Sequence, residues 1–246
     1  MSKKNAQLSK AERAAAVRRE HERRERSRQM LVVGGVVLAI IAIVVVGYLV
    51  QSSRDTTGEA ADAPAGGTET YGVTIGPDDA PVKVVVYEDF LCPVCGIFEG
   101  ETRDRLQQLA DDGDVQVEYR PFNLLSQLGD YSLRATNAFA AVLDAAGPEV
   151  AMDFHDRLFA AQPPESGPFP DDSELVALAV DAGAEEAEVT DAINKLSFEQ
   201  WVVNADDQAS KAGVVGTPTV VVNDEVVEGA DLGAVIDSMF ERIEAA

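Results

Sequence analysis

The chain has 246 residues and two cysteines, which stand three positions apart in Phe90-Leu91-Cys92-Pro93-Val94-Cys95-Gly96. A disulfide between them closes so short a loop that it removes little entropy from the unfolded chain, which makes a purely structural crosslink a weak explanation. A zinc site needs two further ligands, and the only histidines, His21 and His155, lie far off in sequence. The chemistry that suits the pair best is reversible thiol–disulfide exchange, which needs neither a metal nor a cofactor.

The flanking elements decide which thiol does what. Val82 to Tyr87 is a near-continuous apolar run, the pattern of a strand buried on both faces. After the cysteines, Phe98, Leu106 and Leu109 fall on one side of a helix ending around Asp111-Asp112-Gly113. Pro93 suits the first helical position, where its missing N–H costs nothing, and this places Cys92 at the helix mouth. Unpaired first-turn N–H groups and the positive end of the helix dipole favour a thiolate there. Cys92 is thus the better nucleophile and leaving group, and Cys95, one turn further in, can attack or release a mixed disulfide at Cys92.

Val115 to Tyr119 alternates as a second strand, and strand, helix, strand at this spacing predicts a parallel pair with a right-handed crossover. From Tyr131 to Lys211 the period turns helical, over Leu133–Ala146, Val150–Ala161, Ser173–Ala182, Glu185–Leu196 and Ser197–Lys211, with Ser173 and Thr190 as candidate caps. His155 and Trp201 fall in this block and read as packing residues rather than ligands. Thr219–Val222 and Glu225–Glu228, joined by Asn223-Asp224, predict a hairpin, and Asp231 caps a closing amphipathic helix. The fold class is α/β, with a helical insertion at about 131–211.

The N-terminal quarter is of another kind. Residues 1–30 carry a net charge of +6 and read as a basic arm, a solvated helix whose cations set membrane orientation or adhere to anionic lipid. Leu31–Val50 is twenty residues without a charge, about 30 Å as a helix, the thickness of a bilayer core. The charge bias predicts a single-pass anchor with a cytoplasmic N-terminus and an extracytoplasmic C-terminal domain; a cleavable signal peptide is the competing reading, and either exports the domain. Residues 51–70 are small and polar and predict a flexible tether, with the folded domain at 71–246. Residues 51–246 carry −29, which repels phosphate backbones and argues against nucleic-acid binding.

A strand, a Cys-x-x-Cys at the next helix start, a second strand, a helical block, then Gly216-Thr217-Pro218-Thr219 before a hairpin and a last helix: from Tyr71 to Ala246 the chain resembles the DsbA-like branch of the thioredoxin fold. The resemblance implies that Cys92 is the exposed nucleophile and Cys95 the resolving thiol. It also implies that Pro218 is a cis-proline facing them and that Thr217 offers backbone to an extended substrate. Two departures stand out. The dipeptide between the cysteines, Pro93-Val94, lacks the histidine of many such oxidants, and the buried proton-transferring acid expected six residues before the first cysteine is Val86. Glu88 and Asp89 are the nearer candidates, with ordinary polar strand-end residues as the competing reading.

The expected activity is disulfide formation in exported protein thiols, with reoxidation by a membrane quinone-linked partner of the DsbB or vitamin-K-epoxide-reductase type. An exported reductant or isomerase would use the same residues at a different potential. A non-catalytic tethered peptide-binding or chaperone-like module is the alternative outside enzymes.

Overall fold

The computed structural model describes residues 63–246; the basic arm, the apolar stretch 31–50 and most of the tether lie outside the described residues. Among the described residues no helix is long and apolar enough to cross a membrane.

The sheet has five strands, β1 (Val73–Ile75), β2 (Val82–Glu88), β3 (Val115–Pro121), β4 (Thr219–Val222) and β5 (Glu225–Val226), in the order β1-β3-β2-β4-β5. The central β2 runs parallel to β3, with Val82 opposite Val115 and Glu88 opposite Pro121. It runs antiparallel to β4, with Tyr87 opposite Thr219. This register carries Thr217 and Pro218, just before β4, to the end of the sheet from which β2 delivers Cys92.

Burial of β2 differs from the simple two-faced expectation. Val82, Val84 and Val86 are buried, whereas Lys83 and Val85 are only partly covered. The second face is covered towards the C-terminal end of β2, where Tyr87 packs with Phe122, Ala205 and Ala209; further back, Lys83 reaches the Gln116 side chain. The apolar run could not show which part of the far face would be covered.

Helix α1 (Pro93–Asp111) is the crossover from β2 to β3. Between β3 and β4 lie α2 (Tyr131–Ala160), α3 (Asp172–Asp181), α4 (Glu186–Asn194) and α5 (Glu199–Lys211), and α6 (Leu232–Glu244) closes the chain. Helix α2 is two helices joined at a kink: Gly147 has φ 82°, which glycine adopts without a Cβ clash, and Pro148 starts the second segment. Phe139 and Phe154, one from each segment, are fully buried, so the kink lets both halves face one core. Trp201 is buried as expected, edge-on to Tyr71 with ring centroids 6.0 Å apart.

Several local expectations need correction. Ser173 does not cap α3; Asp171 does, accepting from the Glu174 N–H while the Glu174 side chain returns to the Asp171 N–H, a reciprocal capping box. Thr190 lies inside α4, and its hydroxyl donates to the Glu186 carbonyl. Asp231 does cap α6, through the Ala234 N–H. Residues 64–70 have the composition of the tether but are tied to the domain: Thr68 and Thr70 donate to the Glu118 carboxylate, and the Ala65 N–H to Asp144. Composition shows small polar residues; it does not show that two hydroxyls match one buried-edge carboxylate.

Candidate active site

The Cys92 backbone N–H donates to the Asp89 carbonyl at 2.9 Å, and helix α1 begins at the next residue with Pro93 in its first position. Cys92 is the N-cap and has extended φ and ψ, so its sulfur stands at the helix mouth. Cys95 lies one turn in and is completely buried. Cys92 is itself only 7% exposed, which corrects the expectation of an openly exposed nucleophile, because the Thr217–Pro218 loop covers the helix mouth. Both cysteines are free thiols. The Thr217–Pro218 peptide is cis, and the Thr217 carbonyl accepts from the Cys92 thiol at 3.5 Å. The structure therefore brings together four of the residues singled out in the sequence.

The two sulfurs are held in opposite protonation states. A hydrogen bond from the Cys95 thiol favours the Cys92 thiolate, and against the cost of burial the Thr217 side chain and the Cys95 and Val94 N–H groups add to it, bringing Cys92 down to about 6. The helix-mouth argument thus holds, with the neighbouring thiol as the larger contributor. Burial pushes Cys95 well above the ordinary cysteine value, and the charges of Cys92 and Glu88 raise it further. In the reduced protein, ultraviolet thiolate absorbance should titrate with a midpoint near pH 6. The lowered value also means that ionisation of Cys92 stabilises the reduced fold fully above about pH 9, and that this contribution fades as pH falls through 6. A midpoint near 9 would show that the helix mouth does not activate this thiol.

Glu88 and Asp89 are both fully buried, which corrects the picture of ordinary strand-end polar residues. Their tasks differ. Asp89 accepts from the Leu91 N–H at 2.8 Å, the Leu125 N–H at 2.8 Å and the Ser132 hydroxyl at 2.6 Å. Burial raises its pKa and these hydrogen bonds oppose the rise. Its carboxylate is spent on fixing the loop that presents Cys92. Asp89→Ala strands the buried Leu91 N–H and Ser132 hydroxyl and the partly buried Leu125 N–H, and we expect a loss of about 3 kcal/mol in denaturant unfolding; a loss under about 1 kcal/mol would mean the loop holds itself.

Glu88 faces His155, Oε1 to Nε2 at 2.7 Å, and the other imidazole nitrogen meets Asp156 at 3.0 Å. His155 is fully buried, so the expectation of a packing residue is half right: the Phe90, Phe139, Phe159 and Tyr119 rings surround it, but its role is also ionic. Glu88, Glu99 and His155 place donor atoms within 4.8 Å of one another, a grouping that could hold a cation. Both imidazole nitrogens are already engaged with carboxylates, however, which makes the ring an imidazolium with no lone pair to offer.

Two further residues escaped the sequence. The Gln162 amide donates to the Phe90 and Cys92 carbonyls at 2.9 and 3.0 Å, clamping the loop on both sides of Leu91. Nothing in a residue just beyond a helix end and before Pro163-Pro164 marks it for that role. Glu99 could have been found, because it follows Cys95 by four residues and shares its helix face.

An activated thiol at a helix mouth, a buried second thiol and a cis-proline beside them on a sheet of this topology define a thiol–disulfide exchange protein of the thioredoxin fold. The model of the family described as thioredoxin matches residues 68–238. The chain is similar to disulfide bond formation protein D of Bacillus subtilis, at 30% identity over 178 residues covering 71% of this chain and 78% of that protein. Among solved structures it resembles reduced DsbA from Mycobacterium tuberculosis (33% identity, 71% of this chain and 91% of that one, TM-score 0.60). It also resembles oxidised BdbD from Bacillus subtilis (27% identity, 75% and 97%, TM-score 0.64). The chain belongs to the thioredoxin family and, within it, to the DsbA-like disulfide-forming thiol:disulfide oxidoreductases.

Proposed function

We propose that the protein introduces disulfides into exported proteins, held at the outer face of the cytoplasmic membrane by residues 31–50, with Cys92 as the sulfur attacked by substrate. The observation that carries this reading is the placement of the two thiols, Cys92 at the helix mouth 3.5 Å from the Thr217 carbonyl and Cys95 completely buried one turn in, which lowers Cys92 to about 6 and raises Cys95 well above its ordinary value. A substrate thiolate attacks Cys92 of the oxidised enzyme, the Cys92–Cys95 bond breaks, and Cys95 takes the electron pair and then a proton. A second substrate thiolate attacks the substrate sulfur of the mixed disulfide, and Cys92 leaves as a thiolate. The substrate gains a disulfide and the enzyme leaves as the dithiol, with Cys92 ionised.

The surroundings suit an extended peptide. The Thr217 backbone lies against Cys92, and Val94, Ile97 and Val215 are exposed apolar side chains on the adjoining helix start and loop. Glu88 is fully buried, and its charge helps to hold Cys95 as the thiol. Asp89 holds the loop. Reoxidation falls to a quinone-linked membrane protein of the DsbB or vitamin-K-epoxide-reductase type, for which an anchored enzyme is a nearby substrate.

The test is the reduction potential of the Cys92/Cys95 pair, equilibrated against glutathione buffers. A stabilised Cys92 thiolate favours the reduced form, so the expected value lies towards about −120 mV, where DsbA sits. A value near about −270 mV, that of thioredoxin, would make the protein a reductant and overturn the proposal.

A further inference from the structure

Cys92 is held at both of its peptide groups. Its N–H donates to the Asp89 carbonyl, and its own carbonyl accepts from the Gly96 N–H at 3.2 Å, the first rung of α1, and from the Gln162 side-chain amide at 3.0 Å. The same amide nitrogen donates to the Phe90 carbonyl at 2.9 Å. A primary amide carries two N–H groups on one nitrogen, so this single side chain holds two carbonyls that stand two residues apart. The hold matters because α1 has no side-chain hydrogen bond at its N-cap to fix Cys92 there.

Gln162 is itself well anchored. It stands just beyond the end of α2, its N–H donates to the Phe159 carbonyl at 3.2 Å, and the Pro163 that follows disfavours a helical backbone for it. The Phe159 ring packs on that of Phe90 with centroids 5.2 Å apart. The end of the helical block thus meets the active-site loop twice, by a ring and by an amide.

The glycine that follows Cys95 fits the same arrangement. Gly96 lies within the first turns of α1, where alanine would be the more favourable residue. A Cβ at this position would stand 2.7 Å from Gln162 Oε1, closer than a carbon approaches an oxygen, and the amide, as the end of a flexible side chain, is what would give way. The helix is bare where the amide crosses it.

We propose that Gln162 is a positioning residue for the exchange reaction: its amide fixes the carbonyls on either side of Leu91, Gly96 is kept bare to admit it, and the helical block thereby holds the Cys92 sulfur against the first-turn N–H groups and Thr217. The inference rests on Cys92 as the attacked sulfur and deepens that reading. Gln162 acts through the Cys92 backbone and takes no part in electron or proton transfer. The N–H groups of Val94 and Cys95 help to stabilise the thiolate, and they meet the sulfur only while Cys92 keeps its N-cap conformation, φ −74° and ψ 115°.

In the full-length protein Gln162→Met keeps the length of the side chain and removes both donors. The Cys92 thiolate, followed by ultraviolet absorbance, should then titrate about one unit above the parent's midpoint near 6. In glutathione buffers at about pH 8 the equilibrium should move about tenfold towards the oxidised enzyme, about 30 mV to the negative side. Gln162→Glu, which puts an acceptor and a charge where a donor stood, should move both further. Gly96→Ala should reproduce the effect of Gln162→Met by displacing the amide, and it should add nothing in a Gln162→Ala background, where the space is empty. This coupling also serves if Gln162→Glu does not fold. A merely structural amide would change the resistance to urea and leave the midpoint and the glutathione equilibrium in place. A parent midpoint near 6 that neither Gln162→Met nor Gly96→Ala moves, or effects at the two positions that simply add, would overturn the proposal alone. A parent midpoint near the ordinary 9 would overturn the exchange reading on which it rests.

Discussion

Cys92→Ser is expected to abolish disulfide transfer to a reduced test protein, by about three orders of magnitude or more. The reason lies in the asymmetry of the two sulfurs. Cys92 stands at the helix mouth against the Thr217 carbonyl, whereas Cys95 has no exposed surface, so an incoming thiolate meets Cys92 alone. Serine cannot form the disulfide, and the Cys95 left behind is both inaccessible and held as the thiol. Cys95→Ser has a different signature. Cys92 loses the hydrogen bond of the Cys95 thiol, its largest stabiliser, but keeps the Thr217 side chain and the N–H groups of residues 94 and 95, so it still reacts; a mixed disulfide formed at it then has no internal thiol to release it. This variant should accumulate a covalent adduct with a dithiol substrate, visible as a mass increase that reductant removes. Transfer at near parental rate by Cys92→Ser, or an adduct trapped on Cys95 in that variant, would mean that the nucleophile has been misassigned.

The parts of this site that were legible in the sequence are those set by local geometry. Pro93 after Cys92 fixes a helix start, and a helix start fixes where the first-turn N–H groups point. Thr217 and Pro218 were reached through the family resemblance rather than local geometry, and the Tyr87–Thr219 register shows why that turn lies beside the cysteines. What remained hidden depends on long-range pairing. His155 is 67 residues from Glu88, and no periodicity distinguishes a histidine that packs from one that packs and carries a charge. Gln162 is 70 residues from Cys92 and uses only backbone carbonyls of the loop, which leave no trace in residue type. The caps show the same limit at short range. Asp171 and Ser173 are both good cap residues two positions apart, and the choice fell to the one whose spacing let Glu174 reach back.

The second large effect concerns stability rather than turnover. Replacing His155 by phenylalanine removes the only hydrogen-bond partner the described residues give the Glu88 carboxylate, and leaves that buried charge uncompensated. Breaking one side of a buried ion pair costs about 3–5 kcal/mol, and we expect a loss of that size in urea unfolding near neutral pH. Replacing Glu88 by leucine in the same chain removes the stranded charge, and the double variant should recover most of the loss, because the ring fits among Phe90, Phe139 and Phe159. The pH dependence has a definite sign. Burial alone would lower His155, but the Glu88 charge and the hydrogen bonds to Asp156 and Glu88 outweigh it and raise it to about 10. A group raised on folding contributes fully below its unfolded value of about 6.5 and loses that contribution as pH climbs through the folded one. The stability gap between the parent and His155→Phe should therefore be widest below about pH 6.5 and narrow towards pH 10. A gap that stayed constant over that range would show that the parent loses only ring packing, and that His155 is neutral in the folded protein.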